Sequence, residues 1–437
     1  MVAVTLTDIT TPAALVDEAR MMRNIARMQS RMATHGVRLR PHVKTPKCIE
    51  VARRQQAAGA CGVTVSTLKE AEEFFGAGFA DVLYAVCIAP QKLDRVLALR
   101  RRGCALSILV DSVAAAQAVV DKGRAEQHAF NVMIEVDTDG HRSGVKPDDA
   151  TLLDIGAVLH QGGATLKGVM THAGSSYALN TPEALQAMAE QERGGCVRAA
   201  ERLRTAGLPC LEVSVGSTPT ALSARHLDGV TEVRAGVYVF FDLVMVNVGV
   251  CAMQDVALSV LTTVIGHQPD KGWAIVDAGW MAMSRDRGTQ RQKVDYGYGA
   301  VCDANGRPLS ELVMAEANQE HGIVARRDGT ADPAIADGFP LGTQLHSAQP
   351  RLRHGNAIRR LPRDRPGRRC ARHMETIRWL VTLRRSILDK RDAHLGRCTQ
   401  SRFATPPESL LNEKAARWRP GRPWLVSAYG WVASAPK

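Results

Sequence analysis

Between residues 37 and 240 the chain repeats one unit eight times, a short apolar run followed by a stretch patterned as a helix. The runs lie near 37–40, 61–65, 81–86, 106–110, 130–136, 166–171, 211–215 and 231–234. Each is rich in Val, Ile and Leu, the composition of a strand buried on both faces. Amphipathic stretches between them, such as Leu68–Ala77, Lys92–Arg102 and Pro182–Thr205, are long enough to be crossover helices. Eight alternating units predict an α/β chain closed into a (β/α)8 TIM barrel. In that fold active sites sit at the C-terminal ends of the strands.

The chemically interesting residues fall at those ends: Lys44, Arg142, His172, Gly216-Ser217-Thr218 and Arg234-Ala235-Gly236. The last two groups come after strands seven and eight, where the fold commonly holds a phosphate. Gly216 and Gly236 permit close backbone approach, Ser217 and Thr218 offer hydroxyls and N–H groups, and Tyr238 adds a further donor. A buried lysine after strand one, facing such a cradle, points to a pyridoxal phosphate enzyme. Lys44 then carries the Schiff base and the glycine turns hold the ester phosphate.

Past Phe240 the pattern changes. Val256–Gly266 and Gly272–Asp277 read as antiparallel strands, and glycine-rich turns such as Tyr296-Gly297-Tyr298-Gly299 break up the segment beyond them. The expected division is an N-terminal strand over 1–20, near Pro12–Val16, that joins a smaller β domain. A barrel over 21–245, a β domain over 246–343 and a basic tail over 344–437 complete it.

Charge separates the tail from the rest. Residues 344–437 carry 21 Lys and Arg against 6 Asp and Glu, an excess of +15 in a chain of net charge +12, so the remainder stands at −3. The basic character therefore belongs to the tail, and the main body needs no anionic partner. The ten cysteines form no CxxC pair, and the first eight residues lack a basic n-region and an apolar h-region. No run is long enough to span a membrane. Together these predict a cytoplasmic protein with reduced thiols.

Residues 11–343 resemble the fold-type III pyridoxal phosphate enzymes of the D-serine dehydratase and D-threonine aldolase family. The segments that carry the resemblance are Arg40-Pro41-His42-Val43-Lys44-Thr45, Asp139-Gly140-His141-Arg142-Ser143-Gly144 and Thr171-His172-Ala173-Gly174-Ser175-Ser176-Tyr177. Val215-Gly216-Ser217-Thr218-Pro219-Thr220, Arg234-Ala235-Gly236-Val237-Tyr238, Asp277-Ala278-Gly279 and Glu320-His321-Gly322 complete them. The phrasing is nearest the dehydratase branch, which acts on D-serine or D-threo-3-hydroxyaspartate. The resemblance implies a lyase of D-3-hydroxy amino acids that releases ammonia and a 2-oxo acid, with D-threonine aldolase chemistry as the alternative. It also implies an alanine-racemase-type barrel and a homodimer.

By the same resemblance Lys44 is both the cofactor lysine and the base at the substrate α-carbon, and Arg234 faces the pyridine nitrogen. His172 supports that arginine or the ring. Tyr177 packs near the cofactor or caps the barrel mouth, and Arg142 reaches the phenolic oxygen or a substrate carboxylate. Gly216, Ser217, Thr218, Gly236, Val237 and Tyr238 form the cofactor cradle.

The family also uses a divalent metal, zinc or manganese, held by a His-x-Cys pair in dehydratases or a His-x-Asp pair in aldolases. No such pair comes after Thr343, and composition shifts there to arginine. Back-translating Ser347–His354 and reading from the second base permits, with one choice of codons, Leu-Pro-Asn-His-Ala-Cys-Ala. In that frame Met374-Glu375 forces a Trp codon and Val381-Thr382 permits a stop. The tail is therefore expected to be a frameshifted read-through, leaving the chain without metal ligands. The other readings are a genuine basic extension, and a non-catalytic protein that either carries pyridoxal phosphate or binds RNA through the arginines of the tail.

Overall fold

The structure is a computed structural model that describes residues 5–348 and the backbone of 379–382. The expected tail lies otherwise outside the described residues.

Eight parallel strands form the barrel: β2 (Arg38–Pro41), β3 (Val63–Val65), β4 (Asp81–Cys87), β5 (Ala105–Val110), β6 (Asn131–Val136), β7 (Thr165–Thr171), β8 (Glu212–Val215) and β9 (Glu232–Ala235). They coincide with the eight runs in the sequence. The order β2-β9-β8-β7-β6-β5-β4-β3 closes where His42 bridges Thr64 and the Val43 N–H reaches the Thr64 carbonyl at 2.9 Å. Val65, Val82, Ile108, Val132, Val169, Val213 and Val233 are at most 1% exposed, as strands covered on both faces require.

The crossover helices bury one face and cap their own ends. Helix α3 (Leu68–Gly76) starts at Thr67, whose hydroxyl accepts the Glu70 N–H, and buries Leu68, Ala71 and Phe74. Helix α7 (Pro182–Thr205) starts at Thr181 with proline in its first turn, and buries Leu185, Ala189, Ala199 and Leu203 against β7 and β8.

The second domain is antiparallel. Strands β10 (Leu258–Gln268), β11 (Trp273–Val276), β12 (Ala300–Cys302), β13 (Pro308–Ala317), β14 (Gly322–Arg326) and β15 (Gln344–Ala348) run in the order β11-β14-β13-β12-β15-β10, and β10 pairs back on β11 to close the ring. Strand β1 (Ala13–Asp17) adds to β10, so the N-terminal strand joins this domain, and the backbone of β16 (Trp379–Thr382) pairs with β1. Its core, around Val260, Val276, Met314, Val324 and Leu345, is separate from that of the barrel.

One boundary differs from the sequence reading. The division at Thr343 falls a strand early, because Gln344–Ala348 pairs with β10 and β12 and buries Leu345 and Ala348. A five-residue strand flanked by arginine-rich sequence offers too little alternation to register as one.

Two motifs of this domain are structural. The Asp277 carboxylate accepts hydrogen bonds from the Thr262 and Thr11 hydroxyls and the Thr263 N–H, fastening the N-terminal segment to the sheet. Gly279 and Gly322 let two turns touch: a Cβ on Gly279 would stand 2.3 Å from the Asn318 carbonyl, and one on Gly322 2.6 Å from that of Ala278. No helix among the described residues is long and apolar enough to cross a membrane.

Candidate active site

The strand ends deliver their side chains to a cavity of about 350 Å³ at the C-terminal mouth of the barrel. Lys44, Arg142, His172, Tyr177, Gly216, Ser217, Thr218, Arg234, Gly236 and Val237 all line it. The structure thus brings together ten of the eleven residues singled out in the sequence.

Tyr238 is the exception. It is fully buried, its hydroxyl accepts from Gln55 Nε2 at 2.9 Å, and it does not line the cavity. Its backbone N–H, at 3.2 Å from Thr218 Oγ1, instead braces the cradle from behind. Lys44 also differs from expectation, being exposed where a buried lysine was anticipated. The loop after β2 carries it past the last barrel pairing to the rim, within reach of the cavity and of solvent.

The cradle is built on two glycines. Gly216 has φ +130°, and a Cβ there would stand 2.4 Å from the Arg234 carbonyl; a Cβ on Gly236 would stand 2.9 Å from both the His42 carbonyl and Thr45 Oγ1. Any other residue would push the two loops apart. Ser217 caps the short helix α8 (Thr218–Ser223) by accepting the Thr220 N–H, and its hydroxyl also meets Ser176 at 2.9 Å. The Thr218, Gly236 and Val237 N–H groups donate to no protein acceptor among the described residues, so they remain available to an anion.

Two histidines flank Lys44 and Arg234, and both are neutral. His172 Nδ1 lies 2.9 Å from the Gly216 carbonyl, which can only accept, so Nδ1 carries the proton and Nε2 the lone pair. Burial, reinforced by the Lys44, Arg234 and Arg142 cations, holds its pKa down at about 3. His172 therefore supports the cradle loop rather than Arg234 itself, and its ring lies 6.1 Å from that of Tyr177. His42 was missed in the sequence because it lies inside the lysine segment and has no spacing signature of its own. It accepts the Lys44 N–H at Nδ1 (3.4 Å) and meets Ser66 through Nε2 (3.4 Å), and burial keeps it well below the usual histidine range.

Arg234 is buried at the floor of the cavity. Its Nε donates to Ser214 Oγ at 2.8 Å and Nη2 donates to the Thr171 carbonyl, while Nη1 has no acceptor among the described residues. Arg142 stands exposed at the mouth, with Nη2 3.8 Å from Glu135. Glu192 is a second residue that sequence reasoning missed, since it is one carboxylate among many on α7. Its Oε1 accepts both the Ala173 N–H (2.8 Å) and the Gly216 N–H (3.1 Å), joining the His172 loop to the cradle loop. Burial pushes its carboxyl above the ordinary value.

Among the described residues one group could in principle hold a metal: Cys87, Asp111 and Glu135, at the ends of β4, β5 and β6. Its donors already satisfy one another, with the Cys87 thiol 3.0 Å from Glu135 Oε2, and burial together with the two carboxylates pushes that thiol far above its ordinary value. His346 is buried in β15 and held down at about 4 by burial, and Ser347 and Ala348 come next, so it begins no His-x-Cys pair. Among the described residues there is thus no His-x-Cys pair of the kind the resembled family uses.

A closed parallel barrel with a lysine, a guanidinium and a glycine cradle converging on its mouth, followed by an antiparallel β barrel, is the architecture of fold-type III pyridoxal phosphate enzymes. The family comparisons agree. Residues 16–244 match the alanine racemase N-terminal domain, and residues 257–349 match the putative serine dehydratase domain. The D-threo-3-hydroxyaspartate dehydratase of Delftia sp. (strain HT23) is 69% identical over 342 residues, covering 78% of this chain and 90% of that enzyme. Its solved structure superposes with a TM-score of 0.81 at 66% identity, covering 82% of this chain and 94% of that one. D-serine dehydratase of Dictyostelium discoideum is 30% identical over 300 residues, 65% of this chain and 76% of that enzyme. D-threonine aldolase from Filomicrobium marinum superposes with a TM-score of 0.66 at 25% identity, covering 80% of this chain and 89% of that one. The chain belongs to the D-serine dehydratase and D-threonine aldolase family of pyridoxal phosphate-dependent lyases, and its relative at 69% identity is a dehydratase.

Proposed function

We propose that the chain is the cofactor-binding body of a D-3-hydroxy amino acid dehydratase of the D-threo-3-hydroxyaspartate or D-serine type. The observation that carries this is the convergence of Lys44, Arg234 and the Gly216–Gly236 cradle on one cavity. Pyridoxal phosphate, when bound, draws electrons from the substrate α-carbon and makes its proton removable. The N–H groups of Thr218, Gly236 and Val237 would bind its phosphate, and the Ser217 and Thr218 hydroxyls close the cradle. Arg234 Nη1 is a donor that keeps its proton, so a ring nitrogen facing it stays an acceptor. Lys44, at the rim beside His42, is placed to hold the cofactor and to take a proton from the α-carbon. Neutral His172 keeps the cradle loop in register without adding a fourth cation beside Lys44, Arg234 and Arg142. Arg142 is placed for a carboxylate or the phenolic oxygen, and Tyr177 bounds the cavity.

The metal-dependent step is the part this sequence does not support. A mutant D-threo-3-hydroxyaspartate dehydratase with a cysteine changed to alanine was solved in the metal-free form, and another mutant has a histidine, two positions away, changed to alanine. Such a His-x-Cys pair is what the shifted reading frame spells under Pro350–Arg353. We read residues past Ala348 as frameshifted sequence, consistent with the family match ending at residue 349. The chain as written then binds cofactor and turns over substrate weakly or not at all. A homodimer and a cytoplasmic setting rest on family likeness, together with eight unpaired cysteines among the described residues.

Borohydride treatment of the chain loaded with pyridoxal phosphate tests the cofactor assignment. A mass increment on the Lys44 peptide is expected, and labelling elsewhere with Lys44 unmodified would refute it.

A further inference from the structure

Beneath Arg234 a chain of polar groups runs down the inside of the barrel, and only its first member faces the cavity. Arg234 Nε donates to Ser214 Oγ at 2.8 Å. A guanidinium can only donate, so the serine oxygen accepts and its own hydrogen goes to Glu232 Oε1, also at 2.8 Å. Glu232 Oε2 accepts Arg40 Nε at 2.7 Å, and Arg40 Nη2 reaches Asp81 at 2.9 Å toward the N-terminal end of the barrel.

The strand register makes this run. Arg40 on β2 stands beside Arg234 on β9, and Ser214 on β8 beside Glu232. Residues 232 and 234 share the inward face of β9 because side chains alternate along a strand. Arg40, Ser214, Glu232 and Arg234 are each no more than 4% exposed. Buried charge is tolerated only when it is matched and hydrogen-bonded, and here cation, hydroxyl, anion, cation and anion succeed one another in order.

We propose that Ser214 and Glu232 are positioning residues for Arg234, setting its tilt and counter-charge so that Nη1 is presented to the ring nitrogen of the bound cofactor. The proposal rests on the cofactor reading above. The serine spacer is the informative part. A carboxylate paired directly with Arg234 would take two of its donors and draw the guanidinium away from the cavity. One hydroxyl between them transmits the charge while taking Nε alone; Nη2 goes to the Thr171 carbonyl, and Nη1 is left to the cavity. Arg40 and Asp81 balance Glu232 from the other side. Burial draws the Arg234 guanidinium below its ordinary value, and Glu232 is the strongest influence opposing that.

Ser214→Ala keeps every charge and cuts the link; Glu232→Gln removes the charge. Both are compared with the parent full-length chain by titrating pyridoxal phosphate, by following its visible absorbance against pH, and by melting the cofactor-free protein. A parent with no visible band would defeat the cofactor reading, and this proposal with it. Given a normal parent, Ser214→Ala is expected to weaken cofactor binding about tenfold, the scale of one charge-assisted hydrogen bond, and to move the pH titration of the band. Its melting temperature in the absence of cofactor should fall, because Arg234 Nε and Glu232 Oε1 lose the hydroxyl they share, and Glu232→Gln should shift the band further. Cofactor affinity and band titration within twofold of the parent in Ser214→Ala would overturn the proposal, whatever happens to the melt.

Discussion

The mouth of the barrel and the C-terminal edge of the β domain carry their chemistry in opposite ways. At the mouth, the proposed cofactor site is assembled from the ends of β2, β6, β7, β8 and β9, and each group is fixed by a strand that the barrel core already demands. At the edge, the family's metal site would come from a single tripeptide after the last described β-domain strand. The first kind of site survives any change that leaves the barrel intact. The second disappears with one displaced base, and nothing in the folded body reports the loss. A distributed site is robust and legible, whereas a local one is neither.

Lys44→Ala should break the barrel side of this comparison most completely. Removing the lysine is expected to abolish the visible cofactor band, and to lower ammonia release at least a thousandfold in a frame-restored protein, the scale of losing a covalent catalyst. A retained band would show that another group holds the cofactor.

Gly216→Ala tests whether the cradle depends on backbone approach. The residue sits at φ +130°, and its new methyl would lie 2.4 Å from the Arg234 carbonyl. The expected cost is about 2–3 kcal/mol of stability, measured by chemical denaturation, and a clear loss of cofactor affinity. An unchanged affinity would show that the phosphate lies elsewhere.

Acid should weaken both domains, through histidines held neutral in each. His172 in the barrel is held at about 3 and His346 in the β domain at about 4, both below the ordinary 6.5. Between those values and 6.5 the unfolded chain binds the protons that the folded chain refuses. Their contribution is therefore fully present above pH 6.5 and is lost progressively as pH falls, down to about 4 for His346 and about 3 for His172. At pH 5 the loss is on the order of 2 kcal/mol for each. Melting temperature followed from pH 7.5 to 5 should fall, and a flat profile would contradict the neutral assignments.

The smallest expected effect lies in the β domain. Asp277→Asn keeps one acceptor oxygen but loses the carboxylate shared by Thr11, Thr262 and Thr263. A loss of about 1–2 kcal/mol is expected, with cofactor binding unchanged. A large drop in affinity would mean that the two domains are coupled more tightly than their separate cores suggest.

The sequence made the barrel readable because each buried parallel strand is a continuous run of Val, Ile and Leu, and because the fold places function at strand ends. Lys44, His172, Gly216 and Arg234 could be picked out by position alone. His42, Ser214, Glu192 and Glu232 could not. They act through groups brought together from distant elements, and nothing in the local spacing of a serine or glutamate on a strand or helix distinguishes a buried clamp from an exposed side chain. Tyr238 shows the reverse error, since its place beside Gly236 suggested a donor, but the turn after β9 directs its phenol to Gln55. The strand Gln344–Ala348 was hidden by the arginine-rich composition that begins just beyond it.

The most direct test compares the 437-residue chain with a version whose reading frame is restored, after Ala348, to give the His-x-Cys segment. Both are loaded with pyridoxal phosphate and assayed on D-threo-3-hydroxyaspartate, D-serine and D-threonine, with and without zinc or manganese. Both proteins should show the cofactor band, and only the restored one should release ammonia and a 2-oxo acid in a metal-dependent way. Equal metal-dependent turnover by the chain as written would contradict the account, because the residues past Ala348 would then be working sequence.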